Sequence, residues 1–366
     1  MRYIPYLRKG AKVFNKHNIL PEYVTFFVTN ECNARCEHCF YWKELGAPVN
    51  ALSLGEIEKI SGTMGDFLFL LLTGGEPFLR NDFSEIVKIF YKNNNVRKIN
   101  IFTNGNLPKE TSVVMTKIMT ECPDAYITLF VSLDEIGDEH DKNRGIKGIY
   151  KNALETIRCM KEIQAVYAKL TLGIALVYTS FNEKRILDIY NFCKGNIKVD
   201  TINCAFIRGA VRNTNAKACS IDNFIELQKT LENDLIKNRL RGARDPILGN
   251  LVAAVKFESF TQLIKIVKED RYLFPCYAGK INAVIYPNGD VFPCELLNEK
   301  MGNLRDVNYD FKKIWFSEKS EKIRETIKVD RCYCTHECNL VPNIMFNLRF
   351  SFKVIKNFLR LIFRIC

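Results

Sequence analysis

The stretch TNECNARCEHCF (residues 29–40) contains three cysteines, Cys32, Cys36 and Cys39, separated by small and polar residues. It continues directly from EYVTFFVT (22–29), an apolar and β-branched run that predicts a buried parallel strand. In parallel βα folds, functional groups collect at the carboxyl ends of the strands, where this loop would lie. The stretch therefore predicts a metal or cofactor site on the first strand of an α/β fold.

Five more strand-like runs follow at steps of roughly thirty residues, and segments of helical period separate them. Ser53 with Glu56 and Asp82 with Glu85 have the spacing of capping boxes at two helix starts. Six βα units predict a parallel sheet that curls into a partial (β/α)6 TIM-like barrel. The strand runs are 67–73, 96–103, 125–132, 170–178 and 200–207, and the helical segments include 109–121, 148–168 and 183–194.

Composition describes a folded protein of 366 residues, 47% of them apolar. The net charge of +12 is concentrated at the ends, because residues 1–20 and 341–366 each carry five Lys or Arg and no acid. The nearly neutral body argues against a nucleic-acid groove across it. The first twenty residues lack the pattern of a signal peptide, so we expect a cytoplasmic protein whose fourteen cysteines are metal ligands or buried thiols.

The amino-terminal motif has three local thiols, whereas a closed structural zinc site has four protein ligands. They suit a 4Fe-4S cluster in which one iron stays open for a small molecule. A zinc site that borrows a distant fourth ligand is the alternative.

The Cys-x3-Cys-x2-Cys spacing after the first strand resembles the signature of the radical S-adenosylmethionine (radical SAM) superfamily, although His38 stands where the family usually has an aromatic residue. The resemblance implies that Cys32, Cys36 and Cys39 bind a 4Fe-4S cluster whose open iron holds S-adenosylmethionine. It also implies a reducing partner such as flavodoxin or ferredoxin. The expected reaction is reductive cleavage to a 5′-deoxyadenosyl radical, which abstracts a hydrogen atom from a substrate.

Other motifs resemble cofactor-facing positions of the same family. TGGEP (73–77) supplies two glycines that let backbone approach a ligand and a glutamate that accepts hydrogen bonds from the methionine ammonium. For TNG (103–105) and SLDE (132–135), a capped strand end is the alternative. The candidate cofactor-binding residues are Gly74, Gly75, Glu76, Asn104, Ser132, Asp134, Arg144, Asn182 and Arg208. Cys204, on the last barrel strand, is a candidate to return a hydrogen atom to the substrate radical.

A second group of cysteines lies before, at the end of and after INAVIYPNGDVFPC (281–294), a stretch that predicts a β-hairpin around Asn288-Gly289. With CYCTHEC (332–338) it resembles part of a SPASM or twitch domain, which binds auxiliary iron–sulfur clusters. We expect one auxiliary 4Fe-4S cluster on Cys276, Cys294, Cys334 and Cys338, with Cys332 as the further candidate ligand. A zinc site is the alternative.

Basic residues in the tail recur at helical spacing among Phe, Leu and Ile, and no uncharged run is long enough to span a bilayer. This predicts an amphipathic helix on an anionic membrane surface, at the inner face of the cytoplasmic membrane, or one packed on the barrel or on a second subunit. A small-molecule or lipid-linked substrate, for example an isoprenoid, would fit that location. Maturation of a ribosomal peptide and a non-catalytic metal-binding adaptor are the alternative functions.

The chain thus divides into five predicted regions. They are a basic leader (1–21), a radical SAM barrel core (22–210), a helical linker (211–270), a SPASM/twitch-like domain (271–340) and the basic amphipathic tail (341–366).

Overall fold

The computed structural model describes residues 19–242, 244–245 and 248–365, so residues 1–18 of the predicted leader lie outside the described residues. The described chain contains one nine-stranded sheet with the order β6-β5-β4-β3-β2-β1-β7-β8-β9. The strands are β1 Tyr23–Phe27, β2 Phe69–Thr73, β3 Lys98–Thr103, β4 Tyr126–Ser132, β5 Leu170–Tyr178, β6 Thr201–Phe206, β7 Asn282–Ile285, β8 Asp290–Phe292 and β9 Gly302–Asn303.

The first six strands pair in parallel with their sequence neighbours, as the six apolar runs predict. The helices between them cover one face of the sheet with apolar side chains, and this packing forms the main core. The order and the parallel pairing are those of a partial (β/α)6 barrel. The helices are α1 Leu54–Met64, α2 Phe83–Asn93, α3 Pro108–Glu121, α4 Asp138–Arg144, α5 Ile149–Val166, α6 Ile186–Phe192, α7 Asp222–Ile236, α8 Leu248–Glu269, α9 Phe311–Trp315, α10 Glu318–Val329, α11 Glu337–Met345 and α12 Ser351–Phe363.

The two predicted capping boxes have different outcomes. Ser53 caps α1, with its backbone N–H donating to Glu56 at 2.8 Å and its hydroxyl accepting from the Glu56 N–H at 3.4 Å. The prediction of a capping box at Asp82 is wrong, because the Asp82 side chain makes no capping hydrogen bond to the helix. Its carboxylate accepts instead from Arg80 Nε at 2.6 Å. Arg80 also donates to the carbonyl of Val28 at 2.8 Å, so the ion pair holds α2 near the carboxyl end of β1.

The predicted hairpin is confirmed and has a second role in the sheet. β7 pairs in parallel with β1, and β8 turns back antiparallel to β7 around Gly289, whose φ of +86° suits glycine. The carboxyl-terminal region thereby extends the barrel sheet beyond its first strand. This pairing brings the residues after β8 to the mouth of the barrel.

Two long helices, α7 and α8, occupy the predicted linker, and the tail forms α12 as predicted. The α12 helix packs along α8, with Val354 and Leu361 buried. In the part of the chain that the structure describes, no helix combines the length and apolarity that crossing a bilayer requires.

Candidate active site

Two glycines at the end of β2 hold the cysteine loop in place. The N–H of Gly75 donates to the carbonyl of Thr29, and the N–H of Glu76 donates to that of Glu31, both at 2.8 Å. A Cβ on Gly74 would lie 2.4 Å from the Thr29 oxygen, and one on Gly75 would lie 2.0 Å from the Glu31 oxygen. The backbone that approaches these glycines so closely is therefore that of the cysteine loop itself.

The three amino-terminal cysteines line one cavity of about 240 Å³ at the carboxyl ends of the strands. The N–H of Ala34 donates to Cys32 Sγ at 3.4 Å, which fixes the first turn of the loop. Burial raises the pKa of the Cys32 thiol to about 12 and that of Cys39 to about 11. Thiols with such pKa values ionise when a cation binds them, and three of them on one wall could hold three irons of a cluster.

A buried ion pair brings positive charge to this wall. Asp134 is fully buried, and its carboxylate accepts from Arg144 and, at 2.8 Å, from the N–H of Val177. Arg144 also donates to Cys36 Sγ at 3.6 Å, and its Nε has no acceptor among the described residues. Burial alone would raise the pKa of Asp134, but Arg144 and His38 lower it. Asp134 therefore positions Arg144, whose guanidinium lines the cavity and could bind a carboxylate.

Glu76 lies behind the cavity wall with 1% of its surface exposed. Its carboxylate accepts from Thr103 Oγ1 at 2.8 Å, from the N–H of Asn104 at 2.7 Å and from that of Phe78 at 3.2 Å. Burial raises its pKa to about 7, although these donors act in the opposite direction. Glu76 thus joins the ends of β2 and β3 and orients Asn104, whose amide donates to Asn33 Oδ1 at 2.7 Å.

The carboxyl-terminal cysteines separate into a group of four and a single residue. Cys276, Cys332 and Cys334 line one small cavity. Cys332 lowers the pKa of Cys276, and burial together with the charges of Cys276 and Cys294 raises the pKa of Cys334. Cys338 instead has Glu295, Arg208, Glu337 and Lys256 as its charged neighbours. The four that could hold an auxiliary cluster together are Cys276, Cys294, Cys332 and Cys334.

Comparison with known families adds to this geometry. The model of the radical SAM superfamily matches residues 26–193, and that of SPASM, an iron-sulfur cluster-binding domain, matches residues 276–339. The chain contains a radical SAM domain and a SPASM domain. Its radical SAM domain contains the cysteine loop, and its SPASM domain contains the second cysteine group. Members of the radical SAM superfamily are enzymes, and the two domains imply 4Fe-4S clusters and S-adenosylmethionine as cofactors.

Two curated relatives of the radical SAM chain come from Bacillus subtilis (strain 168). The antilisterial bacteriocin subtilosin biosynthesis protein AlbA is 24% identical over 87% of this chain and 66% of its own length. The sporulation killing factor maturation protein SkfB is 24% identical over 78% of this chain and 63% of its own length. The chain thus spans slightly less than two thirds of each of these relatives.

Among solved structures, Streptococcus suis SuiB bound to its precursor peptide SuiA shares the fold. It superposes with a TM-score of 0.61 at 21% identity and covers 88% of this chain and 71% of its own.

The remaining predicted residues of the radical SAM domain differ in their access to the cavity. Ser132 and Arg208 line it, together with Gly74, Gly75, Asn104 and Arg144. Asn182 is buried at the end of β5, where its amide donates to the carbonyls of Asp134 at 3.1 Å and Val177 at 2.8 Å. Like Glu76 and Asp134, Asn182 supports the wall and does not face the cavity.

The placement of Cys204 does not support a role in hydrogen transfer. Its neighbours Asn203 and Ala205 line the cavity, and successive side chains of a strand point to opposite faces. Cys204 is fully buried in the core between the sheet and the helices.

The structure places the five predicted auxiliary cysteines differently from one another. Cys338 lies in the first turn of α11 and lines the active-site cavity, whereas Cys332 precedes the helix and reaches Cys276. The spacing of CYCTHEC could not show where the helix begins, so it could not show which thiols point together.

Several residues at the cavity were missed. Glu295 and Glu337 line the cavity, and His336 Nε2 lies 2.9 Å from the Glu295 carboxylate. Glu295, His336 and Cys338 place their donor atoms within 4.8 Å of one another. Their positions beside Cys294 and inside CYCTHEC were a usable signal.

Proposed function

We propose that this chain reductively cleaves S-adenosylmethionine at the Cys32, Cys36 and Cys39 site and modifies a ribosomally made peptide. The observation that carries the proposal is a single cavity that has these thiols and Arg144 on one side and SPASM residues on the other. Cys32, Cys36 and Cys39 would hold a 4Fe-4S cluster that, when reduced, would supply the one electron needed to cleave the cofactor to methionine and the hydrogen-abstracting 5′-deoxyadenosyl radical. A flavodoxin or ferredoxin is the proposed electron donor.

The residues of the chain bind and orient in this proposal. Arg144 offers its unpartnered Nε to a carboxylate of the cofactor, and Asp134 keeps the guanidinium at the cavity wall. The hydrogen bonds of Glu76 fix Asn104 beside the cysteine loop, with the Asn104 amide 4.0 Å from Cys32 Sγ. Phe27, Phe102 and Leu176 form apolar parts of the wall and exclude water from the reacting atoms.

Relatives favour a peptide over the lipid-linked substrate expected first. AlbA is named for bacteriocin biosynthesis, SkfB for maturation of a killing factor, and SuiB was solved with its precursor peptide. The match to the radical SAM model, whose members are enzymes, argues against a non-catalytic adaptor.

Deuterium transfer tests the substrate class. Anaerobically reconstituted, reduced protein is incubated with S-adenosylmethionine and either the peptide fraction or the lipid extract of deuterium-grown cells. We expect deuterium in 5′-deoxyadenosine from the peptide fraction alone. Deuterium transfer from the lipid extract alone would show that the substrate is lipid-linked and not a peptide. The absence of 5′-deoxyadenosine in every sample would refute the proposed cleavage of S-adenosylmethionine.

We further propose that the tail helix α12 lies on an anionic membrane surface. Seven of the thirteen exposed large apolar side chains in the described chain fall between residues 348 and 365. They recur at helical spacing on the face opposite the one that packs on α8. The basic residues, of which Arg349, Lys353, Lys356 and Arg364 are exposed, form a stripe beside them. The apolar set is Leu348, Phe352, Ile355, Leu359, Ile362, Phe363 and Ile365.

Sedimentation with vesicles tests this surface. We expect the protein to pellet with phosphatidylglycerol vesicles at low salt and a Phe352→Ser/Ile355→Ser/Leu359→Ser variant to stay in the supernatant. A Val113→Ser/Val166→Ser variant, altered at exposed apolar positions elsewhere, is the control. Equal pelleting of all three proteins would contradict the proposal, as would concentration-dependent dimerisation that the triple variant abolishes without vesicles.

A further inference from the structure

A second cavity of about 120 Å³ continues the active-site cavity into the barrel. The two share wall residues that include Leu71, Phe102 and Asn203. The smaller cavity extends to Tyr23 and Phe69, the first residues of β1 and β2, so it lies toward the amino-terminal ends of the strands. We call this space, between Tyr23 and Asn203, the lower chamber.

Three polar side chains from different elements meet at the junction of the two cavities. Asn203 on β6 accepts from Lys256 Nζ of α8 at 2.6 Å and donates to Glu337 Oε2 of α11 at 3.0 Å. All three residues line the lower chamber. The bonds use both ends of the Asn203 amide, so Asn203 fixes the orientation of the Glu337 carboxylate.

Two acceptors in this chamber have neither a hydrogen-bond donor nor an ion-pair partner among the described residues. Glu337 Oε1 and Asn282 Oδ1 are buried, and no hydrogen-bond donor among the described residues reaches either atom. The Asn282 amide nitrogen is already committed, because it donates to the carbonyl of Cys338 at 3.1 Å and to Asn339 Oδ1 at 2.6 Å. Buried acceptors are normally satisfied, so a ligand in the chamber would gain by bringing N–H or O–H groups.

The rest of the chamber wall is largely apolar and aromatic, with Phe69, Phe130, Val252, Val284 and Val341 among its residues. Lys256 already interacts with the charge of Glu337, so a neutral donor fits better than a second cation. An acidic group would meet the carboxylates of both Glu337 and Glu295.

We propose that the lower chamber binds the side chain of a substrate residue that has an apolar body and a neutral N–H or O–H donor, such as tyrosine or tryptophan. The donor bonds Glu337 Oε1, and the ring lies against the aromatic wall. This inference rests on the proposed function and names the class of peptide residue that the site accepts. Glu337 acts in it as a substrate-binding residue.

Side-chain analogues provide the probes. The affinities of p-cresol, 3-methylindole and toluene for anaerobically reconstituted full-length protein are measured by ligand-observed NMR. We expect the two donor-bearing rings to bind about tenfold more tightly than toluene, because only they can bond the buried carboxylate. Equal affinities for all three, or no binding of any, would overturn the inference.

Variants locate the preference. In the Glu337→Gln variant, the amide oxygen still accepts the hydrogen bond from Asn203, and the amide N–H₂ group faces the chamber. The preference for donor-bearing rings should therefore disappear, while the affinity for toluene should stay within about twofold of the wild type. Glu162→Gln, at a surface carboxylate with a side chain 66% exposed, is the matched control and should keep the preference. A Glu337→Gln protein that retains the preference would refute the role of this carboxylate.

A second variant tests the chamber independently, in case the Glu337→Gln protein does not fold. Val252→Phe adds volume on the α8 side of the chamber and should weaken binding of all three rings. Cleavage of S-adenosylmethionine without substrate is measured on the same samples. Cleavage without analogue binding refutes the chamber alone, and analogue binding without cleavage refutes the proposed function alone.

Discussion

The two cysteine groups of the chain are assembled in different ways. The amino-terminal group lies in one loop that the main chain of Gly75 and Glu76 fixes, so its spacing in the sequence is almost its geometry. The carboxyl-terminal group combines a residue before the hairpin, one after it and others near α11. Local spacing therefore identifies the first site, whereas long-range packing selects the members of the second.

The largest effect should come from the local group. Replacing Cys36 with alanine removes a proposed cluster ligand and the acceptor of the Arg144 hydrogen bond at 3.6 Å. We expect cleavage of S-adenosylmethionine by reduced protein to fall more than about 100-fold, beyond the usual effect of an outer-shell partner. The measurement is anaerobic formation of 5′-deoxyadenosine.

Cys159→Ala is the control for that variant, because this thiol lies on a helix surface beside Glu155. It should match the wild type. A Cys36→Ala protein that still cleaves the cofactor at the wild-type rate would remove the amino-terminal group from the reaction.

The second group gives a sharper test, since the ligand set expected from the sequence includes Cys338, whereas the thiols that lie together include Cys332. If the packed set holds the auxiliary cluster, Cys332→Ala should lose about four irons per chain and Cys338→Ala should keep them. Both variants should retain the amino-terminal cluster. Iron and sulfide analysis measures the difference, and the opposite result would restore the set that includes Cys338.

The sequence predicts the barrel well because buried parallel strands are marked by continuous apolar runs, and all six runs contain a strand. The same continuity hides which face each residue occupies, so Cys204 could be assigned to the cavity side when it packs in the core. Asp82 fits a helix cap by spacing, but a nearby Arg80 competes for its carboxylate. Lys256 carries no local signal, since packing alone brings α8 against the barrel.

The next prediction concerns the buried ion pair between Asp134 and Arg144, which lies beside the amino-terminal cysteines. Asp134→Asn removes the charge that pairs with buried Arg144, so we expect the free energy of unfolding of the apoprotein to fall by about 3–5 kcal/mol. Asp124→Asn breaks an ion pair with Lys169 in which the aspartate side chain is 70% exposed, and it should cost no more than about 1 kcal/mol. Urea unfolding compares the two variants, and equal losses would show that Arg144 does not depend on Asp134.

Glu76 should give the smallest effect, and its sign depends on pH. Burial raises its pKa from the ordinary 4.5 to about 7, so between these values the folded protein binds a proton that the unfolded chain has released. Stability should therefore fall as pH rises from 4.5 to 7, by about 3 kcal/mol in all, and stay level above that range. Glu76→Gln does not titrate, so its unfolding free energy should lack this fall even if the lost carboxylate bonds to Thr103 and Asn104 lower it at every pH. Urea unfolding of both apoproteins at several pH values measures the slope. Parallel slopes would mean that the Glu76 carboxyl keeps an ordinary pKa, and the site of Glu76 behind the cavity wall would then be more hydrated than the 1% exposure of this residue implies.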